Sequence, residues 1–193
     1  MTQALILVDI QNDYFPGGAM ELVAMDDAAR NARTVLDAFR ANEDPVFHIQ
    51  HLAVKPDATF FIPGSVGAEH HEAVAPASGE KIIQKHFPNA FRDTSLEREL
   101  RHLDIEELVI VGAMSHMCID ATTRAAFDVG FRCTVVEDAC ATRDLVFKDN
   151  TIPAAYVHSS FMAALSAPYA TVESTGLLIY LKHADETLHM PSE

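Results

Sequence analysis

Two kinds of apolar spacing alternate along this chain. Leu5-Ile6-Leu7-Val8 is a continuous apolar run ending at Asp9, the pattern of a strand covered on both faces. Over residues 26–41 the apolar positions Ala29, Ala32, Val35, Leu36 and Phe39 recur on one helical face. The alternation then repeats. Strands are predicted over residues 46–49, 81–84, 108–111 and 132–136, with a sixth over 169–173. Helices are predicted from a capping box at Thr94-Ser95-Leu96-Glu97 to about Leu103, from Cys118 to the stop at Gly130, over 153–166 behind Pro153, and over about 177–182. Residues 52–80 carry Pro56, Pro63, Gly64, Gly67, Pro76 and Gly79 and read as a long loop, which Phe60 and Phe61 mark as packed. The last ten residues read as a frayed polar tail.

Strands alternating with helices predict an α/β fold: three α/β/α layers around a mostly parallel, Rossmann-like sheet of about six strands, in one domain over residues 1–193. In such a sheet, ligands bind beyond the carboxyl ends of the strands. Asp9 ends the first strand, Lys85 follows the third and Cys118 follows the fourth. Three reactive side-chain types therefore fall on one edge.

Charge narrows the partners. The formal net charge of −14 argues against nucleic acid or an anionic membrane, which call for basic patches, and leaves a small molecule as the expected ligand. Three scattered cysteines fit neither a disulfide framework nor a cysteine-type zinc site, and the odd count fits a reducing compartment. The first apolar run lacks a basic flank and is too short for a signal peptide or a membrane span, so a cytoplasmic location is expected.

Cys118 carries the most chemistry. It lies in Gly112-Ala113-Met114-Ser115-His116-Met117-Cys118-Ile119-Asp120, at a predicted strand-to-helix junction where unpaired N–H groups and the helix dipole favour a thiolate. A cysteine nucleophile also needs a proton acceptor, a counter-charge and oxyanion donors; Asp9, Lys85 and the backbone of the 113–118 turn can supply them. Cys133 and Cys140, one in a strand and one in the loop after it, read as structural, and His70-His71 as a solvated pair.

The segments Val8-Asp9-Ile10-Gln11-Asn12-Asp13-Tyr14, Gly79-Glu80 with Lys85 and Ala90-Phe91, Gly112 to Cys118, and Asp138-Ala139 together resemble the isochorismatase-like cysteine hydrolases, a superfamily that includes nicotinamidases. The resemblance spans about residues 4 to 175. It implies a catalytic set of Cys118, Asp9 and Lys85, a cis peptide at Ala113-Met114 that aims the N–H groups of Met114 and Cys118 at an oxyanion, and a homo-oligomer. It also implies candidate substrate contacts at Gln11, Tyr14, His51 and Phe91, with Phe60, Phe61 and Phe87 as further pocket walls. Nicotinamidases of this superfamily use an Asp-x-His metal site after the second strand. Here the matching stretch has His51 and Ala53 at those places, so no metal and no cofactor is expected. The implied activity is thioester-mediated cleavage of a C–N bond in a small amide. Two alternatives stand beside it: vinyl-ether hydrolysis through Asp9, and a non-enzymatic thiol or ligand-binding module.

Overall fold

The computed structural model describes residues 2–188. In chain order it places β1 (Gln3–Val8), α1 (Met25–Ala41), β2 (Val46–His51), β3 (Lys81–Lys85), α2 (Leu96–His102), β4 (Glu107–Ala113), α3 (Asp120–Asp128), β5 (Arg132–Ala141), β6 (Leu145–Phe147), β7 (Asn150–Ile152), α4 (Ala154–Leu165), β8 (Thr171–Glu173) and α5 (Thr175–Leu188). Six strands form an all-parallel sheet in the order β3-β2-β1-β4-β5-β8. The three-layer α/β expectation holds.

The apolar run of β1 is explained by its central place. Leu5 and Leu7 pack on one face with α1 and with Leu178 of α5. Ala4, Ile6 and Val8 pack on the other with residues of α2, α3 and α4. Side chains alternate across a strand, so a strand covered on both faces is apolar at every position. The expected packing of the 52–80 loop also holds: Phe61 is fully buried, and its N–H donates to the Asp13 carboxylate at 2.6 Å.

Local pattern misleads in several places. β5 runs on to Ala141, and Cys140 lies within it, paired with Gly112. The register against β4 shifts between Ile110 and Gly112, so Glu137 and Asp138 break the alternation without ending the strand. The β6–β7 hairpin was not signalled, because Lys148 and Asp149 lack the usual turn chemistry; Lys148 adopts a positive φ of 55°. The capping box does not form: Ser95 is the N-cap without a side-chain bond, while the Thr94 hydroxyl accepts from Leu96 N–H and donates to Ala90 O. α5 continues to Leu188, so the first part of the expected polar tail is helical; residues 189–193 lie outside the described residues.

Candidate active site

β2 and β3 lie on one side of β1, and β4, β5 and β8 on the other, so the order reverses between β1 and β4. A crevice opens beyond the carboxyl ends of two such strands. Asp9 leaves β1 there, with a φ of 52° that turns the chain out of the sheet. Beyond β4 the Ala113–Met114 peptide is cis, and residues Ser115–Ile119 form one π-helical turn, closed by Ile119 N–H donating to Met114 O at 3.2 Å. Wide turns of this kind recur at functional sites. Cys118 thus sits inside a helical turn ahead of α3, not at the free helix N-terminus that its spacing suggested.

Four strand ends bring their side chains together. Lys85 Nζ lies 2.7 Å from Asp9 Oδ2, 3.2 Å from Cys118 Sγ, 2.9 Å from His51 Nδ1 and 3.0 Å from the Phe87 carbonyl oxygen. An ammonium has three N–H groups, so these four acceptors compete for it. Asp9 is fully buried, and its Oδ1 has no hydrogen-bond partner among the described residues.

The electrostatics revise the expectation of a thiolate. Burial, and then the Asp9 carboxylate, push the Cys118 thiol well above its ordinary range; Lys85 opposes this without reversing it. Burial also works against the Lys85 ammonium, but the Asp9 charge and the hydrogen bonds to Asp9 and Cys118 outweigh it, and the net shift is upward. The resting site is therefore a neutral thiol beside an ion pair.

His51 is pushed down to about 4, first by burial and then by the Lys85 charge, so at neutral pH its ring is uncharged. An ammonium can only donate, which makes His51 Nδ1 the acceptor and leaves the proton on Nε2. Asp9, His51 and Cys118 could bring three metal-ligating atoms within 4.8 Å of one another. The Lys85 ammonium already contacts an atom of each, and a cation at the usual ~2.0–2.3 Å ligand distances would have to displace it. This donor set fits a resident metal poorly.

A cavity of about 610 Å³ meets the cluster at His51 and is walled by Phe60, Phe61 and Phe87, with His86 at its edge. Phe60, Phe61 and Phe87 are three of the five aromatic residues expected around a pocket. Tyr14 is buried against Phe61 at 4.6 Å between ring centroids, and Phe91 packs on Phe131 at 6.1 Å; neither is among the residues lining this cavity. Gln11 uses its amide on backbone, donating to the carbonyls of His51 and Ala68 and accepting from His51 N–H, so it sets the position of His51. The Asp13 bond to Phe61 N–H, which fixes a cavity wall, had no sequence signal beyond a generic turn residue.

The pair His70-His71 is not solvated as expected. His71 stacks on Phe15, and His70 turns toward the buried His48 with its Nε2 hidden from solvent. Burial, then the neighbouring His48, pushes His70 down to about 4. The unfolded chain takes up this proton near pH 6.5, the ordinary value for a histidine, and the folded protein resists it until about 4. Stability contributed in this way is present above about pH 6.5 and is lost as pH falls through the window to about 4. We expect the urea midpoint to fall between pH 7 and pH 4.5, and His70→Leu to reduce that fall.

The chain matches the model of the isochorismatase domain over residues 3–170. It is 51% identical over 175 residues to the uncharacterized isochorismatase family protein YddQ of Bacillus subtilis (strain 168), covering 91% of this chain and 97% of that one. A solved structure from Oleispira antarctica superposes with a TM-score of 0.90 at 50% identity, covering 93% of this chain and 96% of that one. N-carbamoylsarcosine amidase of Arthrobacter sp is 28% identical over 157 residues, covering 72% of this chain and 60% of the amidase. With the three-layer fold and the clustered strand ends, these matches show that the chain belongs to the isochorismatase-like cysteine hydrolase superfamily.

Proposed function

We propose that this hydrolase cleaves the C–N bond of a small amide through a thioester on Cys118. The observation that carries this reading is the contact set around Lys85 Nζ, which holds Asp9 and Cys118 on one buried ammonium. Asp9 Oδ1 is open to take the thiol proton as Sγ attacks the amide carbon. The neutral resting thiol suits this coupling, because the charge on sulfur develops only as the new bond forms. Lys85 stabilises that charge by its N–H. The N–H groups of Met114 and Cys118 hold the tetrahedral oxyanion. Collapse breaks the C–N bond, and the amine leaves with the proton from Asp9. Water, losing its proton to Asp9, then splits the thioester to release the acid and the thiol.

His51 adds a neutral Nε2–H donor beside the aromatic walls of the cavity. Flat amides, ureides and carbamoyl compounds suit a lining that sets these aromatic walls beside His51, Lys55 and Asp57. The Arthrobacter relative, N-carbamoylsarcosine amidase, agrees with this class. Amine or ammonia release from a panel of these compounds tests the reading. At least one should be turned over by the native protein, and Cys118→Ala should abolish that turnover. Turnover unchanged in Cys118→Ala would overturn the covalent route and favour acid–base chemistry by Asp9 alone.

A further inference from the structure

The cavity beside the cluster is walled mostly by one stretch of chain, residues 53–61, between β2 and β3. This stretch has few ties. Its backbone bonds among the described residues are internal: Ala53 N–H donates to Phe61 O at 2.9 Å, and Ala58 N–H to Lys55 O at 3.1 Å. One hydrogen bond joins it to the rest of the described residues, from Phe61 N–H to Asp13 Oδ2 at 2.6 Å. Phe61 holds a φ of 54°, a left-handed conformation that a bulky residue keeps only where its surroundings impose it. Its ring lies 5.7 Å from the His51 ring, centroid to centroid, and His51 Nδ1 contacts Lys85. The wall therefore runs from the Asp13 bond to the reacting groups.

Asp13 is shaped to receive that bond. It is buried in the 3-10 turn Asn12–Tyr14, close behind Asp9. Its Oδ1 accepts from Ala19 N–H at 3.2 Å, and its backbone carbonyl from Met20 N–H at 2.9 Å. Gly67 leaves space for the carboxylate, because a methyl group at that position would collide with it. A carboxylate only accepts, which suits two backbone N–H groups; an asparagine would set an NH₂ against one of them. Asp13→Asn thus keeps the size of the side chain and removes a link, while Gly67→Ala keeps the carboxylate and pushes it aside.

We propose that Asp13 is a positioning residue for the substrate: its carboxylate seats Phe61, and with it residues 53–61, and so governs how tightly the flat part of the amide is held. It takes no part in breaking the C–N bond. The proposal rests on the reading of this cavity as the substrate site, but its test needs no substrate. Iodoacetanilide presents a flat aryl group to the cavity, and iodoacetamide lacks it. Alkylation of Cys118 by each is followed by intact mass and peptide mapping in the native protein, Asp13→Asn and Gly67→Ala. The native rate with iodoacetanilide should saturate, which gives KI and kinact. In both variants KI should rise about 5- to 10-fold, the worth of one hydrogen bond, while kinact and the iodoacetamide rate stay within about 2-fold. Amide exchange in the native protein, read by NMR, does not depend on how the variants fold: Phe61 N–H should exchange more slowly than the unbonded N–H groups of residues 54–60. An unchanged KI, a native rate that does not saturate, or a Phe61 N–H that exchanges as fast as those neighbours would each overturn the proposal. A matching fall in kinact and in the iodoacetamide rate would overturn it too, by placing Asp13 in the chemistry. The KI shift without any amide turnover would instead sink the amidase reading and leave the positioning role standing.

Discussion

Asp9→Asn is expected to lower turnover by about 10³-fold or more, measured as kcat on whichever amide the native protein accepts. Burial, and then Asp9, push the Cys118 thiol toward its neutral form, and Asp9 Oδ1 has no hydrogen-bond partner among the described residues, which leaves it free to accept a proton in the proposed step. Asparagine is nearly isosteric but cannot take that proton, hand it to the leaving amine or activate water. Lys85→Met is expected to cause a loss of similar size by removing the charge that holds the developing thiolate. If the three groups act on one event, as proposed, the Asp9→Asn/Lys85→Met double variant should be little worse than either single one. Both changes also break an ion pair whose side chains are fully buried, which costs about 3–5 kcal/mol of stability when one partner is removed. Rates should therefore be read well below the melting temperature of each variant. A double variant slower by the product of the two single losses would contradict a concerted unit.

The second large effect concerns stability. Gly112→Ala is expected to destabilise the fold by about 3–5 kcal/mol, checked by urea unfolding. Gly112 has a φ of 123°, and a methyl group there would collide with the Val8 carbonyl oxygen. Val8 and Gly112 are register partners on β1 and β4, the strands that lead to Asp9 and Cys118. A side chain would push apart the two strands whose separation sets the distance between base and nucleophile. With native stabilities of roughly 5–15 kcal/mol, a loss of this size leaves little margin.

The layers and the sheet edge were legible because they follow from periodicity. The run at residues 5–8 could be so apolar only if both faces were covered, and β1 lies at the sheet centre with a separate core on each face. Asp9, Lys85 and Cys118 could be placed on one edge because each follows a strand in a parallel sheet. What could not be read was set by contacts distant in sequence. The thiol's environment depends on burial and on Asp9, 109 positions away, and these outweigh the local helix geometry that suggested a thiolate. Tyr14 and Phe91 have the composition of pocket walls, but packing against Phe61 and Phe131 takes them out of the cavity. The link from Asp13 to Phe61 joins a turn to a loop 48 residues on, a distance no local pattern reports.

The proposed chemistry turns on a covalent thioester on Cys118. Acid quenching of the native protein during turnover of an amide, followed by intact mass and peptide mapping, tests it most directly. The expected species is heavier by the substrate less its leaving amine, confined to the peptide bearing Cys118 and missing from Cys118→Ala. Turnover with no adduct at any quench time, together with native rates in Cys118→Ala, would contradict it.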